Sequence, residues 1–169
     1  MQKEIVFRPI GVINSPHTDL CRIPAQPVYC EGIEGTVSVD PEYAPGLEDL
    51  GGFSHIHIFY FFHQSKKICL RFKPYLGESE KGIFSVRAPH RPNKLGMSLV
   101  RLDRIEENIL YIRDVDILDG TPLLDIKPYI QRFDRRESVR SGWQEEIADD
   151  DATRRGRRGY DAQKSGSFK

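Results

Sequence analysis

The sequence lacks the features that mark several large classes of protein. It has no run of about 18 apolar residues, the length that a membrane-spanning helix requires, and its first residues alternate in polarity where a signal peptide would show an apolar block. Its 25 basic and 25 acidic side chains cancel, so the overall charge predicts no nucleic-acid partner. The lack of a membrane span and of a signal peptide indicates a cytoplasmic protein, and a length of 169 residues indicates one domain with at most an appendage.

Cysteine is scarce, and the common catalytic signatures are missing. Cys21, Cys30 and Cys69 cannot all pair and form no CxxC motif, so a disulfide framework or a zinc ribbon is not expected. The chain has no GxSxG elbow, no GxxxxGK(S/T) phosphate loop and no GxGxxG after a strand. The sequence therefore gives no sign of a serine hydrolase, a P-loop enzyme or a Rossmann-type dinucleotide site.

What the sequence does contain before residue 130 is a series of short strand patterns. Alternating or β-branched stretches occupy residues 5–13, 35–39, 53–63, 83–87, 98–102, 109–113 and 115–117, with turn residues between them. Helical pattern in that span is limited to one or two turns at residues 44–50. Many short strands without intervening amphipathic helices predict a mainly β protein, a closed or nearly closed antiparallel barrel with short helical additions.

A change in composition after Ile130 divides the chain into two parts. We expect residues 1–130 to form the barrel domain and residues 131–169 to form a charged C-terminal tail, part helical and part disordered, with a helix at residues 137–148 around Trp143. Basic residues cluster at 135–136 and 154–158. These clusters are typical of a solvated tail, and a basic arm that contacts phosphate is the alternative.

The longest strand pattern places three histidines on one face. His55, His57 and His63 share this face, and an HxH pair on a strand can chelate zinc. His63 would lie roughly 20 Å further along the strand, too far to complete such a site. We therefore expect histidines of the barrel wall and no metal.

Two dense stretches combine glycine and proline with isolated charges. Residues 82–98 read GIFSVRAPHRPNKLGMS, and residues 118–129 read LDGTPLLDIKPY. Proline removes a backbone donor and glycine gives up side-chain contacts, so this mixture is typical of backbone held in a particular shape around a site. The residues alone predict a β-barrel with a polar, shaped site.

These two stretches and several others resemble the TsaA/TrmO family of tRNA N6-methyltransferases. The ordered match covers residues 7–130 and includes IGVINSP at 10–16, GLEDL at 46–50, GFSHI at 52–56 and FH at 62–63. The resemblance implies a single-sheet, non-Rossmann β-barrel methyltransferase that uses S-adenosylmethionine and acts on N6 of threonylcarbamoyladenosine next to the tRNA anticodon. It also implies a homodimer with the cofactor pocket near the subunit interface.

Carried over residue by residue, the resemblance implies the cofactor contacts. They fall on Pro24, Ala25, Gln26, His63, Gln64, Arg87, Met97, Leu118, Asp119, Gly120, Thr121 and Pro122. Arg87 suits the cofactor carboxylate or a tRNA phosphate, and a surface ion pair is its alternative role. The family commonly has arginine where this chain has Ala25, which removes a cation from that position.

The substrate contacts are expected at Arg91, Asn93 and Lys94, where simple turn chemistry is the competing interpretation for Arg91 and Asn93. A stripe for tRNA phosphates could come from Arg71, Lys73, Lys81, Arg87, Arg91 and Lys94.

No residue is assigned as the catalytic base, and His63 and Asp119 are candidates. Carbamoylation makes the N6 proton easier to lose, so a strong base is not required. Asp125 and Lys127 are expected to form a local ion pair. Two other functions stay open: a regulatory module that binds S-adenosylmethionine without transferring methyl, and a methyltransferase with a different substrate.

Overall fold

Six strands close into an antiparallel barrel in the computed structural model, which describes residues 4–159. The strands are β1 (Gly11–Asn14), β2 (Glu34–Val39), β3 (His55–Phe61), β4 (Arg71–Phe72), β5 (Lys81–Gly82), β6 (Leu95–Glu106), β7 (Ile109–Arg113) and β8 (Thr121–Pro128). The barrel order is β1-β2-β7-β6-β3-β8, and β8 pairs with β1 to close it. β4 and β5 form a separate two-stranded sheet. The expected antiparallel barrel is confirmed.

Alternate side chains from each strand fill the barrel interior. On β3, Ile56, Ile58 and Tyr60 are buried, whereas the residues between them are only half-buried. The other strands contribute fully buried Ile13, Val37, Val100, Leu110, Ile112 and Leu123. Most of these residues are β-branched, and such residues pack well on the buried face of a strand. The two faces expected for residues 53–63 are confirmed along β3.

The long connections all leave the barrel at one end, here called the loop end. β1, β3 and β7 finish at this end and β2, β6 and β8 begin there, so residues 15–33, 62–94 and 114–120 emerge together. The opposite end carries residues 40–54 and the tight turn at 107–108. Every expected cofactor or substrate residue lies on a loop-end connection or within the first three residues of β6 or β8.

Several strand assignments made from the sequence were wrong. Residues 83–87 contain a 3-10 turn (Ile83–Ser85), and residues 115–117 lie outside any strand. Residues 121–128, interpreted as a shaped loop, form β8, which pairs with both β1 and β3. Its two prolines are near the strand ends, where a missing N–H is tolerated, and a bulge interrupts its pairing with β3.

The helices are short. Near the middle of the chain, 3-10 turns occupy Pro41–Leu47 and Leu50–Gly52, where one or two turns were expected. After the barrel come α1 (Gln131–Asp134), a 3-10 turn (Gly142–Glu146) and α2 (Asp149–Gly156). The helix expected around Trp143 is thus replaced by a 3-10 turn and a later helix. Residues 160–169 of the expected tail lie outside the described residues. Within residues 4–159, no helix has the length and apolar character to cross a membrane.

Candidate functional site at the loop end of the barrel

A direct hydrogen bond joins Gln26 and Arg87, which come from different loop-end connections. Arg87 Nη1 donates to Gln26 Oε1 at 2.9 Å. Gln26 Nε2 in turn donates to the backbone carbonyl of Ala25 at 2.6 Å. The partner of Arg87 is therefore a neutral amide, in place of the surface carboxylate considered above. Because Arg87 is exposed, its remaining guanidinium donors can bind an anion.

The turn at residues 118–121 is held against the end of β1. The backbone N–H of Asp119 donates to the carbonyl of His17 at 2.8 Å. Asp119 Oδ1 accepts from the backbone N–H of Ser15 at 3.0 Å, and Thr121 Oγ1 donates to the carbonyl of Leu118 at 2.7 Å. Gly120 has φ of 71°, the left-handed region that favours glycine. The Asp119 carboxylate thus helps to shape this turn.

Arg91 stabilises the 3-10 turn at Ile83–Ser85 through its guanidinium group. Its Nη1 donates to the carbonyl of Ile83 at 3.1 Å and to the carbonyl of Val86 at 2.6 Å. Lys94 has φ of 50°, and its backbone accepts a hydrogen bond from Phe62 and donates one to Arg91. Turn chemistry therefore accounts for the Arg91 side chain, while the Asn93 side chain is exposed at the tip.

The remaining expected cofactor residues line the outer side of the same end. His63 and Gln64 follow β3 in a tight turn, in which the His63 N–H donates to the Phe61 carbonyl at 2.7 Å. Met97 lies on the outer face of β6 opposite Phe59, and Pro122 lies on the outer face of β8. The contacts of the structure do not join Met97 or Pro122 to the Arg87–Gln26 pair.

A buried polar cluster that sequence reasoning missed lies at the loop end. Ser98 Oγ donates to Asp116 Oδ1 at 2.5 Å, and the Tyr60 hydroxyl is 3.1 Å from Ser98 Oγ. Burial raises the pKa of Asp116 to about 7, although the Ser98 hydrogen bond and the positive charge of Arg87 oppose that rise. Burial also raises the pKa of Tyr60. The signal for this cluster was the polar Ser98 in an inward-facing position of β6.

The C-terminal segment contacts the loop that carries Pro24, Ala25 and Gln26. The Ala25 N–H donates to the carbonyl of Gly156 at 2.8 Å, and Arg158 Nη1 donates to the carbonyl of Ile23 at 3.0 Å. Buried Gly156 packs so closely on the Tyr29 ring that a Cβ atom there would overlap it. α2 is therefore docked on the expected cofactor loop.

Further contacts hold the same segment to the 62–94 connection. Arg155 forms an ion pair with Glu78, and the Arg158 guanidinium lies 3.9 Å from the centre of the Tyr75 ring. Trp143 Nε1 donates to the Ser85 carbonyl at 3.0 Å, and its ring packs on the small apolar cluster formed by Ile83, Val86 and Ala88. The tail thus joins two of the three loop-end connections.

The histidine face of β3 packs against α1 and the Tyr129 ring. His57 Nε2 lies 3.8 Å from Asp134 Oδ2 of α1, and His55 and His57 pack beside the Tyr129 ring. Among residues 4–159, no three His, Cys, Asp or Glu side chains converge as a metal site. The ion pair expected between Asp125 and Lys127 is confirmed, with 2.7 Å between Oδ2 and Nζ.

Two open surface depressions lie away from the expected cofactor residues. One is lined by Lys73, Pro74, Tyr75, Gly77, Glu78 and Arg155. The other lies near the opposite end of the barrel, beside Ile10, Leu47 and Ile126. No expected cofactor residue lines either depression.

The family model described as "tRNA-methyltransferase O N-terminal domain" matches residues 12–135 of the chain. The chain belongs to the TrmO family. The resemblance deduced from the sequence is therefore confirmed, and the match covers the barrel except Gly11, together with α1 and every expected site residue.

Two similar proteins carry names that agree with the TrmO family. A protein of Pyrococcus abyssi named "Probable S-adenosyl-L-methionine-binding protein" is 54% identical over 83% of this chain and 77% of its own length. The human "tRNA (adenine(37)-N6)-methyltransferase" is 33% identical over 80% of this chain, which spans 32% of the human protein.

Solved TrmO structures share the fold. A crystal structure of TrmO superposes with a TM-score of 0.72 at 37% identity, covering 83% of this chain and 64% of that one. TrmO from Pseudomonas aeruginosa gives a TM-score of 0.71 at 35% identity and 63% of its length. The chain thus spans somewhat less than two thirds of these TrmO proteins. The matched family domain ends at residue 135, before the segment that docks on the expected cofactor loop.

Proposed function

We propose that this protein transfers the methyl group of S-adenosylmethionine to N6 of threonylcarbamoyladenosine next to the tRNA anticodon. Membership of the TrmO family supports methyl transfer to tRNA, since relatives carry the names of an S-adenosylmethionine-binding protein and a tRNA (adenine(37)-N6)-methyltransferase. The observation that carries the proposal is that the Gln26–Arg87 pair and the turn at residues 118–121 lie at the same end of the barrel. A tRNA substrate also agrees with a cytoplasmic protein.

The cofactor chemistry assigns a limited task to the protein. S-adenosylmethionine supplies an activated methyl group on its sulfonium, so the chain must align the nucleophile and exclude water. In our proposal, the adenosine moiety binds along the 118–121 turn with Met97 and Pro122, and Arg87 binds the carboxylate of the amino-acid head. His63 and Gln64 would contact the polar edge of the adenine. Pro24, Ala25 and Gln26 contact the cofactor through backbone and the Gln26 amide.

The methyl acceptor must lose one proton from N6. The bond from N6 to the methyl carbon forms as the bond from carbon to sulfur breaks, which leaves neutral S-adenosylhomocysteine. The carbamoyl group withdraws electrons from N6, so a weak base or water accepts the proton. We propose His63 ahead of Asp119 for any protein base, because the Asp119 carboxylate already accepts hydrogen bonds from the end of β1.

Localised basic residues on the 62–94 connection provide the contacts to tRNA in this proposal. Of the expected stripe, Arg71 is paired with Glu80, and Lys81 lies over the Trp143 ring. Lys66 and Lys67 are exposed beside His63 and Gln64 and add to Lys73, Arg87 and Lys94. Charges gathered at one end allow a neutral chain to bind a polyanion.

We further propose that the protein is a homodimer, with the outer face of β3, β6, β8 and β1 at the interface. This apolar outer face comprises Val12, Phe59, Phe61, Leu95, Met97, Leu99, Pro122 and Leu124. Val12, Leu95 and Met97 are each about 40% exposed in the single chain. Burial of these apolar side chains against a second copy would be favourable. Because Met97 and Pro122 belong to this face, a second copy would complete the cofactor pocket.

The proposal is tested by methyl transfer from labelled S-adenosylmethionine to two preparations of one tRNA, with and without the threonylcarbamoyl group. We expect label in the modified tRNA alone. Equal labelling of both tRNAs would indicate a methyltransferase with a different substrate. Cofactor binding without transfer to either tRNA would instead support a regulatory module.

A further inference from the structure

We infer that the half-buried Asp116, held by Ser98, binds the α-ammonium group of the cofactor beside the carboxylate site at Arg87. This inference rests on the proposed function, because it assigns one more residue to the same cofactor site. It concerns a side chain outside the set that the family resemblance implies.

The first support is the position of Asp116 in the fold. It lies on the 114–120 connection, two residues before Leu118, at the loop end of the barrel. Ser98 approaches from β6 and Tyr60 from β3, and both side chains are buried. The carboxylate therefore has a defined orientation, with Oδ1 occupied by the Ser98 hydroxyl.

The second support is the charge around the carboxylate. Arg87 is near enough for its positive charge to act on both Asp116 and Tyr60, yet the hydrogen bond of Arg87 goes to the Gln26 amide. The thiol of Cys30 is also buried, and burial together with the charges of Asp116 and Asp114 raises its pKa, which keeps it neutral. Tyr60 is likewise kept neutral by burial. A guanidinium and a carboxylate are thus near enough to interact through space, and no direct ion pair joins them among the described contacts.

This pairing matches the charges of an α-amino acid. The amino-acid head of S-adenosylmethionine presents a carboxylate and an ammonium on one carbon, and a neighbouring cation and anion bind both ends at once. A carboxylate that is costly to bury alone regains stability when a cation arrives. Burial holds the pKa of Asp116 at about 7, so the arriving ammonium would favour the ionised form.

The test compares three ligands on Asp116→Asn and on the wild-type protein. S-adenosylmethionine and S-adenosylhomocysteine share the amino-acid head, and 5′-methylthioadenosine lacks it. We expect the substitution to weaken binding of the first two by about tenfold or more and to leave 5′-methylthioadenosine within about twofold. Asp40→Asn is the matched control, since Asp40 is exposed at the opposite end of the barrel.

The outcomes separate the alternatives. Equal losses for all three ligands would assign Asp116 a structural role, and a loss for S-adenosylmethionine alone would assign it to the sulfonium; either result overturns the inference. Unchanged binding with slower transfer would make Asp116 a proton acceptor and would also overturn it. A wild-type protein that binds none of the ligands would contradict the proposed function itself.

A second measurement is independent of any folding defect in the variant. In the wild type, the dissociation constant of S-adenosylhomocysteine should rise as the pH falls below about 7, by at most about tenfold per unit, because protonated Asp116 must first lose its proton. In Asp116→Asn this part of the pH dependence should vanish. An identical pH dependence in both proteins would contradict the inference.

Discussion

At the residue scale, the site depends on a few side chains whose partners come from distant parts of the sequence. The sequence identified Arg87 through its motif, but its hydrogen bond to Gln26 depends on the meeting of two loops. Asp116 was overlooked because an aspartate between Val115 and Ile117 reads as an ordinary strand position. Its character comes from Ser98 and Tyr60, which only the closed barrel brings near. The local sequence pattern cannot predict the environment of Asp116, because that environment is formed by residues far away in the sequence.

Replacement of Arg87 by alanine should weaken cofactor binding or turnover by about tenfold or more, equivalent to about 1.4 kcal/mol per decade. The reason is the loss of the exposed guanidinium donors beside Gln26. Arg104→Ala is a suitable control, because Arg104 lies in the second half of β6 and pairs with Glu106. Calorimetric titration and initial rates give the comparison, and an unaltered Arg87→Ala protein would remove Arg87 from the site.

The half-buried carboxylate of Asp116 should make stability depend on pH. Its folded pKa is about 7 against an ordinary value of 3.8, so in that window the folded state keeps a proton that the unfolded state has lost. The free energy of unfolding therefore falls as the pH rises through the window, by up to about 4 kcal/mol, and less where the carboxylate stays partly solvated.

Asp116→Asn cannot ionise and removes this penalty. Relative to wild type, the variant should gain stability as the pH rises from about 4 to about 7, as followed by denaturant unfolding at each pH. A constant difference between the two proteins across that range would show that Asp116 is not buried as a neutral acid.

At the element scale, the barrel was largely predictable and its exceptions have physical causes. β2, β3 and β7 follow their period-2 patterns closely, since one face of each is buried. β8 was missed because one glycine, two prolines and isolated charges interrupt residues 118–129, although the prolines stand near the strand ends. The pattern of residues 83–87 suggested a strand, but the Arg91 guanidinium draws two carbonyls of that segment into a turn.

The docked position of α2 predicts that the C-terminal segment positions the cofactor loop. Gly156→Ala places a methyl group where the Tyr29 ring packs, so α2 should detach even though alanine favours helix. We expect cofactor affinity to fall by about threefold or more, together with faster amide exchange in residues 142–159. Thr153→Ala is the matched control, because Thr153 is exposed on the same helix. Fast exchange with unchanged affinity would show that the segment only covers the loop.

At the scale of the whole molecule, the proposed cofactor pocket requires two copies of the chain. In the proposed dimer, the position of Met97 on the apolar outer face would connect dimer formation with cofactor binding. Leu95→Glu should shift the protein towards monomer and lower cofactor affinity, because it places a charge in the proposed interface. Val139→Glu, at an exposed apolar residue of the tail, should change neither property. Light scattering measures the mass, and a monomeric wild type would contradict the proposed dimer.

The relation between the net charge and a tRNA partner also belongs to the scale of the whole molecule. It suggested no nucleic-acid partner, yet the chain belongs to a family of tRNA methyltransferases. The charges are segregated, and the exposed lysines of the 62–94 connection lie beside the expected cofactor residues. Net charge alone therefore gave poor guidance on the partner, whereas the distribution of charge agrees with it.

The most direct measurement of the central claim is mass spectrometry of tRNA nucleosides after reaction with the protein and S-adenosylmethionine. The account predicts that threonylcarbamoyladenosine gains one methyl group, that fragmentation keeps this methyl with the base, and that Arg87→Ala diminishes the product. A methyl group found on the ribose or on another nucleoside would contradict this prediction. So would the absence of any methylated nucleoside when the protein binds the cofactor.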